Sequence, residues 1–240
     1  MKDKEKIFII LFEVASVVLA ILIAMLFQWV IIPQWKKNQE KEEDFQLYQE
    51  IVQTFQAENA KIGECDVVLL GDSLTAGYPT DTFFKDSGYT VVNRGIGGDR
   101  VEWLNERLEN SLAGLQPRLL VFLIAGNDVL AGESKEYILE AYNLLIDHAQ
   151  TLCPNARILI ESHYPLGGAW AEKGDTMYAL NELEAEMAKA QGCFFLDVYS
   201  YLVKDGEMNM DYSVEGVHLN EKGYEIVTER LLNAFGEILS

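Results

Sequence analysis

Five short apolar runs, separated by segments with helical spacing, constrain most strongly how this chain can fold. Each run is continuously apolar rather than alternating, as expected of strands that are covered on both faces of a sheet. Strands that alternate with helices favour a parallel sheet between helical layers. We therefore expect an α/β domain. The expected strands are 67–71, 90–93, 119–125, 158–162 and 194–198, and the expected helices are 101–113, 135–152, 176–191 and 221–239.

Polar residues follow the ends of these runs. The first run, VVLL, stops at Gly71-Asp72-Ser73, and the segments 93–99, 125–128 and 163–165 follow later strands. Sites in parallel sheets form at the carboxyl ends of the strands. We therefore expect these segments to meet at one edge of the sheet, together with the loop that precedes the last helix.

Ser73 is the candidate nucleophile at that edge. A serine hydroxyl is a weak nucleophile and needs a base within hydrogen-bonding distance. The chain has three histidines: His148 lies within an expected helix, His163 ends an expected strand, and His218 follows a polar loop. His218 is favoured as the base, with His163 as the alternative, because only His218 has a carboxylate at short loop spacing.

The carboxylate in question is Glu215, three residues before His218. In a tight turn it can hold the imidazole tautomer and stabilise the imidazolium that forms during attack. Asp211 is the alternative acid. The spacing therefore predicts a Ser–His–acid triad in which the identity of the acid stays open.

Donors for the negative oxygen of a tetrahedral intermediate can come from three places. The backbone N–H of Ser73 is one, Gly98 can bring a second N–H close to substrate because it has no Cβ, and the side-chain amide of Asn127 is a third. Each of these features alone is also typical of an ordinary turn or cap.

The conjunction of four ordered blocks resembles the SGNH hydrolases, also called the GDSL esterase/lipase family. The blocks are GDSLTAG at 71–77, NRGIGGD at 93–99, AGND at 125–128 and VEGVHLN at 214–220. The resemblance covers roughly residues 64–238, and the second block is most similar to the branch of platelet-activating-factor acetylhydrolase-like esterases.

That resemblance implies a flavodoxin-like three-layer α/β/α sandwich with a five-stranded parallel sheet, and neither a metal nor a cofactor. It also implies Ser73 as nucleophile, Gly98 and Asn127 in the oxyanion hole, and His218 as base. The chain departs from the family at Glu215, where the last block usually reads Asp-x-x-His. Glutamate can serve as the acid in other hydrolases.

A second organising feature is the apolar run at residues 7–32. As a helix it would reach roughly 39 Å, enough to cross a hydrocarbon core of about 30 Å. We expect an uncleaved membrane anchor over 1–35, a charged helical stalk over 36–61 and the hydrolase domain over 62–240. Glu13 lies in the run, where it could contact a partner helix or lie near the interface. A short N-terminal tail favours an extracytoplasmic domain.

Composition limits the partners. The formal net charge of −19 disfavours nucleic acid and anionic lipid headgroups. Three cysteines are too few and too widely spaced for a disulfide framework or a metal cluster. A single Cys153–Cys193 bridge stays open.

These observations predict a membrane-anchored serine ester hydrolase that forms an acyl-enzyme on an acetylated glycan, a short-chain ester or a lysolipid. Two alternatives remain. One is an acyltransferase that uses the same residues, and the other is a non-catalytic tethered binding module, for which the departure at Glu215 is the only support. The oligomeric state is left open.

Overall fold

A computed structural model describes residues 25–240, except for the side chains of residues 40 and 41. The chain divides into two compact units between Glu50 and Ile51. Most of the predicted anchor, Glu13 included, lies outside the described residues. From residue 25 onward, no helix is both long enough and apolar enough to cross a membrane.

The second unit is built on one parallel five-stranded sheet with the order β2-β1-β3-β4-β5. This is the flavodoxin-like order, in which a crevice forms where the strand order reverses beside β1. The predicted α/β class and five-stranded parallel sheet are confirmed. The strands are β1 (Glu64–Gly71), β2 (Val91–Gly95), β3 (Gln116–Leu123), β4 (Arg157–Glu161) and β5 (Phe194–Leu196).

Helices and short elements connect these strands. A π-helical turn at Phe27–Ile31 and a 3₁₀ segment at Gly168–Lys173 complete the described elements, together with a small antiparallel hairpin of β6 (Val203–Lys204) and β7 (Glu207–Met208). The α-helices are α1 (Ile32–Ile62), α2 (Ser73–Ala76), α3 (Thr80–Phe83), α4 (Val101–Leu112), α5 (Gly126–Ala131), α6 (Lys135–Leu152), α7 (Gly174–Ala190), α8 (Tyr199–Leu202) and α9 (Glu221–Leu239).

Both faces of the sheet are buried, which accounts for the continuous apolar runs. Val68 and Leu70 of β1 pack in a cluster with residues of α4, α6 and α7. Val67 and Leu69 point to the other face and pack with residues of α9. Successive strand residues face opposite sides, so covering both sides requires apolar residues at every position.

The part of α1 from Ile51 onward belongs to the second unit and packs within it. Val52, Phe55 and Asn59 are buried. Asn59 Nδ2 donates to the carbonyl of Ser111 at 3.0 Å, and Asn59 Oδ1 accepts from Arg94 Nε and Nη2 at 3.0 and 2.7 Å. The second unit therefore begins at Ile51, upstream of the predicted domain start at residue 62.

All three cysteines are free thiols, so the open Cys153–Cys193 bridge is not formed. Burial raises the pKa of Cys65 and of Cys193, each to about 11. Thiols of this kind are poor nucleophiles at neutral pH.

Candidate active site

The turn after β1 presents Ser73 at the edge of the sheet. Ser73 is the first residue of α2, and the Asp72 carboxylate caps this short helix by accepting the N–H of Leu74 at 3.0 Å. A Cβ on Gly71 would lie 2.2 Å from Thr75 Oγ1, so only glycine permits so tight a turn. Strand and cap together fix where the hydroxyl is presented.

Ser73, His218 and Glu215 are brought into contact in that order. Ser73 Oγ lies 2.9 Å from His218 Nε2, and His218 Nδ1 contacts Glu215 Oε1. An ionised carboxylate can only accept, so Nδ1 carries the ring hydrogen and Nε2 is free to accept the serine proton.

A loop that contains a tightly packed glycine places Glu215 and His218 on the same side. Gly216 has φ 98°, and a Cβ there would lie 2.5 Å from the backbone of Gly167. Ser213 Oγ donates to the carbonyl of His218 at 2.7 Å and accepts the N–H of Gly216 at 2.8 Å. Ser213 therefore closes the loop by bonding the backbone at both Gly216 and His218.

Glu215 is ionised at neutral pH. Partial burial raises the pKa of Glu215. Hydrogen bonds from the ring and backbone of His218 outweigh the effect of burial and hold the pKa of Glu215 below its usual range. Asp211, the alternative acid, makes no contact with the ring. Its N–H donates to Asn209 Oδ1 and its carbonyl accepts from Asn220.

The other two histidines lie elsewhere. His163 is buried and its Nε2 is 3.0 Å from Glu184 Oε1, so the alternative base does not face Ser73. His148 lies on α6, where its Nδ1 is 2.9 Å from Asn105 Oδ1.

Gly98 and Asn127 line the same cleft as Ser73. Gly98 has φ 77° and belongs to a turn closed by the N–H of Asp99 on the carbonyl of Ile96, at 3.3 Å. Asn127 Nδ2 donates to the carbonyl of Asp99 at 2.9 Å. Both predicted oxyanion donors are thus tied to the same loop.

Asn127 owes its position to a distorted backbone. Ala125, which precedes α5, has φ 105°, a value that costs an L-residue energy and that clusters at functional sites. The turn carries the Asn127 amide to within 3.4 Å of Asp72 Oδ2. This long contact occupies the second amide hydrogen only weakly.

The cleft itself has a volume of about 430 Å³ and is lined by both polar and apolar residues. The guanidinium of Arg100 lies 5.4 Å from the centre of the Trp103 ring and forms an ion pair with Glu133 at 3.5 Å. The lining residues are Ser73, Gly98, Arg100, Trp103, Asn127, Leu130, Ala131, Trp170, Glu215, Val217 and His218.

Buried carboxylates lie behind the site. Burial raises the pKa of Asp72 and of Asp128, each to about 6, and that of Glu161 to about 7. Within residues 25–240, no three His, Cys, Asp or Glu side chains are grouped so as to hold a metal ion.

Sequence reasoning missed Arg107, a buried residue of α4 whose guanidinium contacts Asp99. A signal was present. Arg107 lies between Leu104 and Leu108 at the spacing of the apolar face, where an unpaired charge would not be tolerated.

A model of the GDSL-like lipase/acylhydrolase family matches residues 69–226. The chain is 26% identical over 201 residues to the isoamyl acetate-hydrolyzing esterase 1 homolog of Bos taurus, covering 69% of this chain and 79% of that protein.

Solved structures share the fold. A Streptococcus pneumonia protein whose name refers to platelet activating factor superposes with a TM-score of 0.75 at 23% identity, covering 83% of this chain and 99% of that one. A GDSL-like lipase from Bacteroides thetaiotaomicron gives a TM-score of 0.68 at 23% identity, covering 78% and 97%.

The chain therefore belongs to the GDSL-like lipase/acylhydrolase family, and the resemblance to SGNH hydrolases is confirmed. It is a carboxylic ester hydrolase.

Proposed function

We propose that the protein cleaves short-chain acyl esters through an acyl-enzyme on Ser73. The observation that carries this proposal is the continuous contact from Ser73 Oγ through His218 to Glu215. Ser73 Oγ bonds to the ester carbonyl carbon while its proton passes to His218 Nε2. His218 then donates that proton to the departing alcohol as the ester C–O bond breaks.

Water completes the cycle. His218 Nε2 takes a proton from water, whose oxygen attacks the acyl carbon, and the carboxylic acid leaves as Ser73 recovers its proton.

The developing oxyanion is stabilised by the N–H groups of Ser73 and Gly98 and by the amide of Asn127. One amide hydrogen of Asn127 is held by the carbonyl of Asp99 at 2.9 Å. The other makes only the 3.4 Å contact to Asp72, so the amide can give it to an oxyanion without losing a strong bond.

The substrate is an ester of a small acyl group, such as acetyl, on an alcohol with an apolar face. Trp103, Trp170 and Val217 supply apolar surface beside Ser73 and suit a sugar ring or an alkyl chain. The name of the Bos taurus relative, an acetate-hydrolysing esterase homolog, supports a short acyl group. Acetylated glycans and lysolipids are the candidate natural substrates.

A panel of p-nitrophenyl esters from acetate to palmitate tests this function on the full chain. We expect the highest kcat/KM for the shortest esters and loss of turnover in Ser73→Ala, with Ser200→Ala, an exposed serine bonded to Asp197, as the matched control. Unchanged turnover in Ser73→Ala would contradict the proposed mechanism. Added acceptor alcohols distinguish hydrolysis from acyl transfer by the products formed.

The binding-module alternative depended on Glu215 being unable to act as the acid. Because Glu215 contacts His218 Nδ1, that support is gone. Labelling of Ser73 by a fluorophosphonate is the direct test of a competent nucleophile.

We further propose that residues 1–35 anchor the enzyme in a membrane with the catalytic unit outside the cytoplasm. The apolar run at 7–32, which as a helix is long enough to cross a hydrocarbon core, supports the anchor. The protein should stay in the membrane fraction after alkaline carbonate extraction, and protease added to intact cells should cleave it. Release by carbonate, or protection from protease, would contradict the anchor and the orientation respectively.

A further inference from the structure

We propose that Arg107, acting through the carboxylate of Asp99, sets the positions of two of the three oxyanion donors, Gly98 and Asn127. The inference rests on the serine mechanism proposed above. Arg107 touches no reacting atom, so it is a positioning residue.

The Arg107 guanidinium has a single arrangement in which all its hydrogens are used. Nε and Nη2 donate to Asp99 Oδ2 at 2.8 and 2.7 Å, and the two side chains are 2% and 0% exposed. Nη1 donates to the carbonyl of Arg94 at 2.9 Å and to Ser111 Oγ at 2.8 Å, and Nη2 also donates to the carbonyl of Gly71 at 3.3 Å. A planar group with five occupied donors is fixed in position and in rotation.

Asp99 transmits this position to the loop. Its Oδ1 accepts the N–H of Arg100 at 3.1 Å, and its own N–H closes the turn on Ile96 that contains Gly98. Its carbonyl accepts from Asn127 Nδ2 at 2.9 Å. One residue therefore adjoins the first donor in sequence and hydrogen-bonds the second.

The same guanidinium is bonded to the nucleophile's strand. Gly71, whose carbonyl Arg107 binds, lies two residues before Ser73 and ends β1. Arg107 thus fixes the oxyanion loop relative to the strand that carries the nucleophile. Donors stabilise an oxyanion only within about 2.7–3.1 Å, so a small shift of this loop is enough to weaken them.

A purely structural ion pair makes a different prediction. It would stabilise the fold without a specific effect on the chemical step. Arg94 supplies the matched control, because its guanidinium is also buried and paired, at 3.1 Å to Glu58, but bonds the α1 side chain Asn59 rather than Asp99.

The experiment compares Arg107→Lys, Asp99→Asn and the control Arg94→Lys in the full chain. It measures kcat and KM for p-nitrophenyl acetate, normalised to the fraction of Ser73 labelled by fluorophosphonate, and the inhibition constant of a trifluoromethyl ketone that forms an oxyanion adduct on serine. Thermal unfolding is recorded for each variant.

We expect Arg107→Lys and Asp99→Asn to lower kcat by about 10- to 100-fold with little change in KM, a part of the effect of removing a donor outright. The inhibition constant of the ketone should rise by the same factor. Arg94→Lys should lower the Tm and leave kcat and the inhibition constant unchanged.

The inference is overturned if Arg107→Lys and Asp99→Asn both keep the wild-type kcat and ketone affinity while their Tm falls. Should Arg107→Lys fail to fold, Asp99→Asn decides, because it keeps the size and an acceptor oxygen of the native side chain. A Ser73→Ala variant separates the two proposals. If Ser73→Ala is inactive while Asp99→Asn behaves as wild type, only the proposed role of Arg107 is refuted. If Ser73→Ala is active, both the serine mechanism and the role of Arg107 are refuted.

Discussion

Glu215 holds His218 through a single oxygen, since Oε1 contacts the ring Nδ1 and also accepts the backbone N–H of the same residue at 3.2 Å. The acid is therefore attached to the frame of its partner as well as to its ring. Glutamate, one methylene longer than the aspartate expected from the family pattern, makes both contacts from this position.

Glu215→Gln should lower kcat by about 10²-fold with a smaller change in KM. The ring tautomer loses its fixed acceptor, but the pair is nearly half exposed, so water substitutes in part and the loss stays below the roughly 10⁴-fold known for a buried acid. Steady-state kinetics on a short ester measure this. Asp211→Ala is the control, and an equal loss there would reassign the acid.

Asn127→Ala should lower kcat by about 10²- to 10³-fold, the effect of removing one oxyanion donor. Fluorophosphonate labelling should still detect a folded nucleophile, at a reduced rate. Asn143→Ala removes an amide of similar bonding from α6, away from the cleft, and should leave kcat unchanged. Full activity in Asn127→Ala would remove this residue from the oxyanion hole.

Gly98→Ala should lower both stability and kcat. A Cβ at this position meets nothing within 4 Å, so the stability loss, about 1–2 kcal/mol, comes only from the φ of 77°. Gly88, with φ 80° and equally open surroundings, lies before β2 at the opposite end from the site. Gly88→Ala should lose as much stability as Gly98→Ala, measured by denaturant unfolding, but keep full kcat. Equal kcat in the two variants would contradict the role of Gly98 as an oxyanion donor.

Wild-type stability should fall as pH rises from about 5 to about 7.5. Burial raises the pKa of Glu161 from 4.5 to about 7, so in this window the native state binds protons that the unfolded state has released. Glu161→Gln cannot ionise and can still accept from the Tyr164 hydroxyl. Its Tm should therefore exceed that of wild type increasingly toward high pH.

The remaining slope in Glu161→Gln belongs to the buried acids Asp72 and Asp128 and to His163, whose pKa is lowered by burial but raised overall by Glu184. Asp66 gives the opposite sign, because the N–H of Thr90 and the Arg118 guanidinium lower its pKa. Asp66→Asn should therefore lower the stability only at pH values above the pKa of Asp66 in the native state. A Glu161→Gln variant with the wild-type Tm profile at every pH would show that this carboxyl does not ionise on unfolding.

Two long helices, α6 and α9, were predictable to the residue because the sequence encodes both their apolar face and their ends, whereas α7 begins two residues before and ends one residue before the predicted bounds. The helices α6 and α9 begin directly after Ser134 and Asn220, whose side chains accept N–H groups of the first turn. Four-residue helices such as α2 were missed, since a single turn leaves no periodicity and depends on the cap supplied by Asp72.

The site was predictable where chemistry restricted the choice. Few residues can activate a serine, so the spacing of Glu215 and His218 was informative. The burial of His163 against Glu184 could not be foreseen, because their partnership depends on how α7 crosses β4. Arg107 was overlooked because a charged residue in an amphipathic helix usually faces water.

The contact between Asn59 and Arg94 limits how far the enzyme can be truncated from its N-terminal side. A fragment that starts at residue 62 would lack both Asn59, the amide acceptor of the Arg94 guanidinium, and the Phe55 ring that this guanidinium lies over, so a side chain that is 5% exposed would lose its cover. Such a fragment is expected to aggregate or unfold readily, and a soluble form should retain the chain from Ile51 onward.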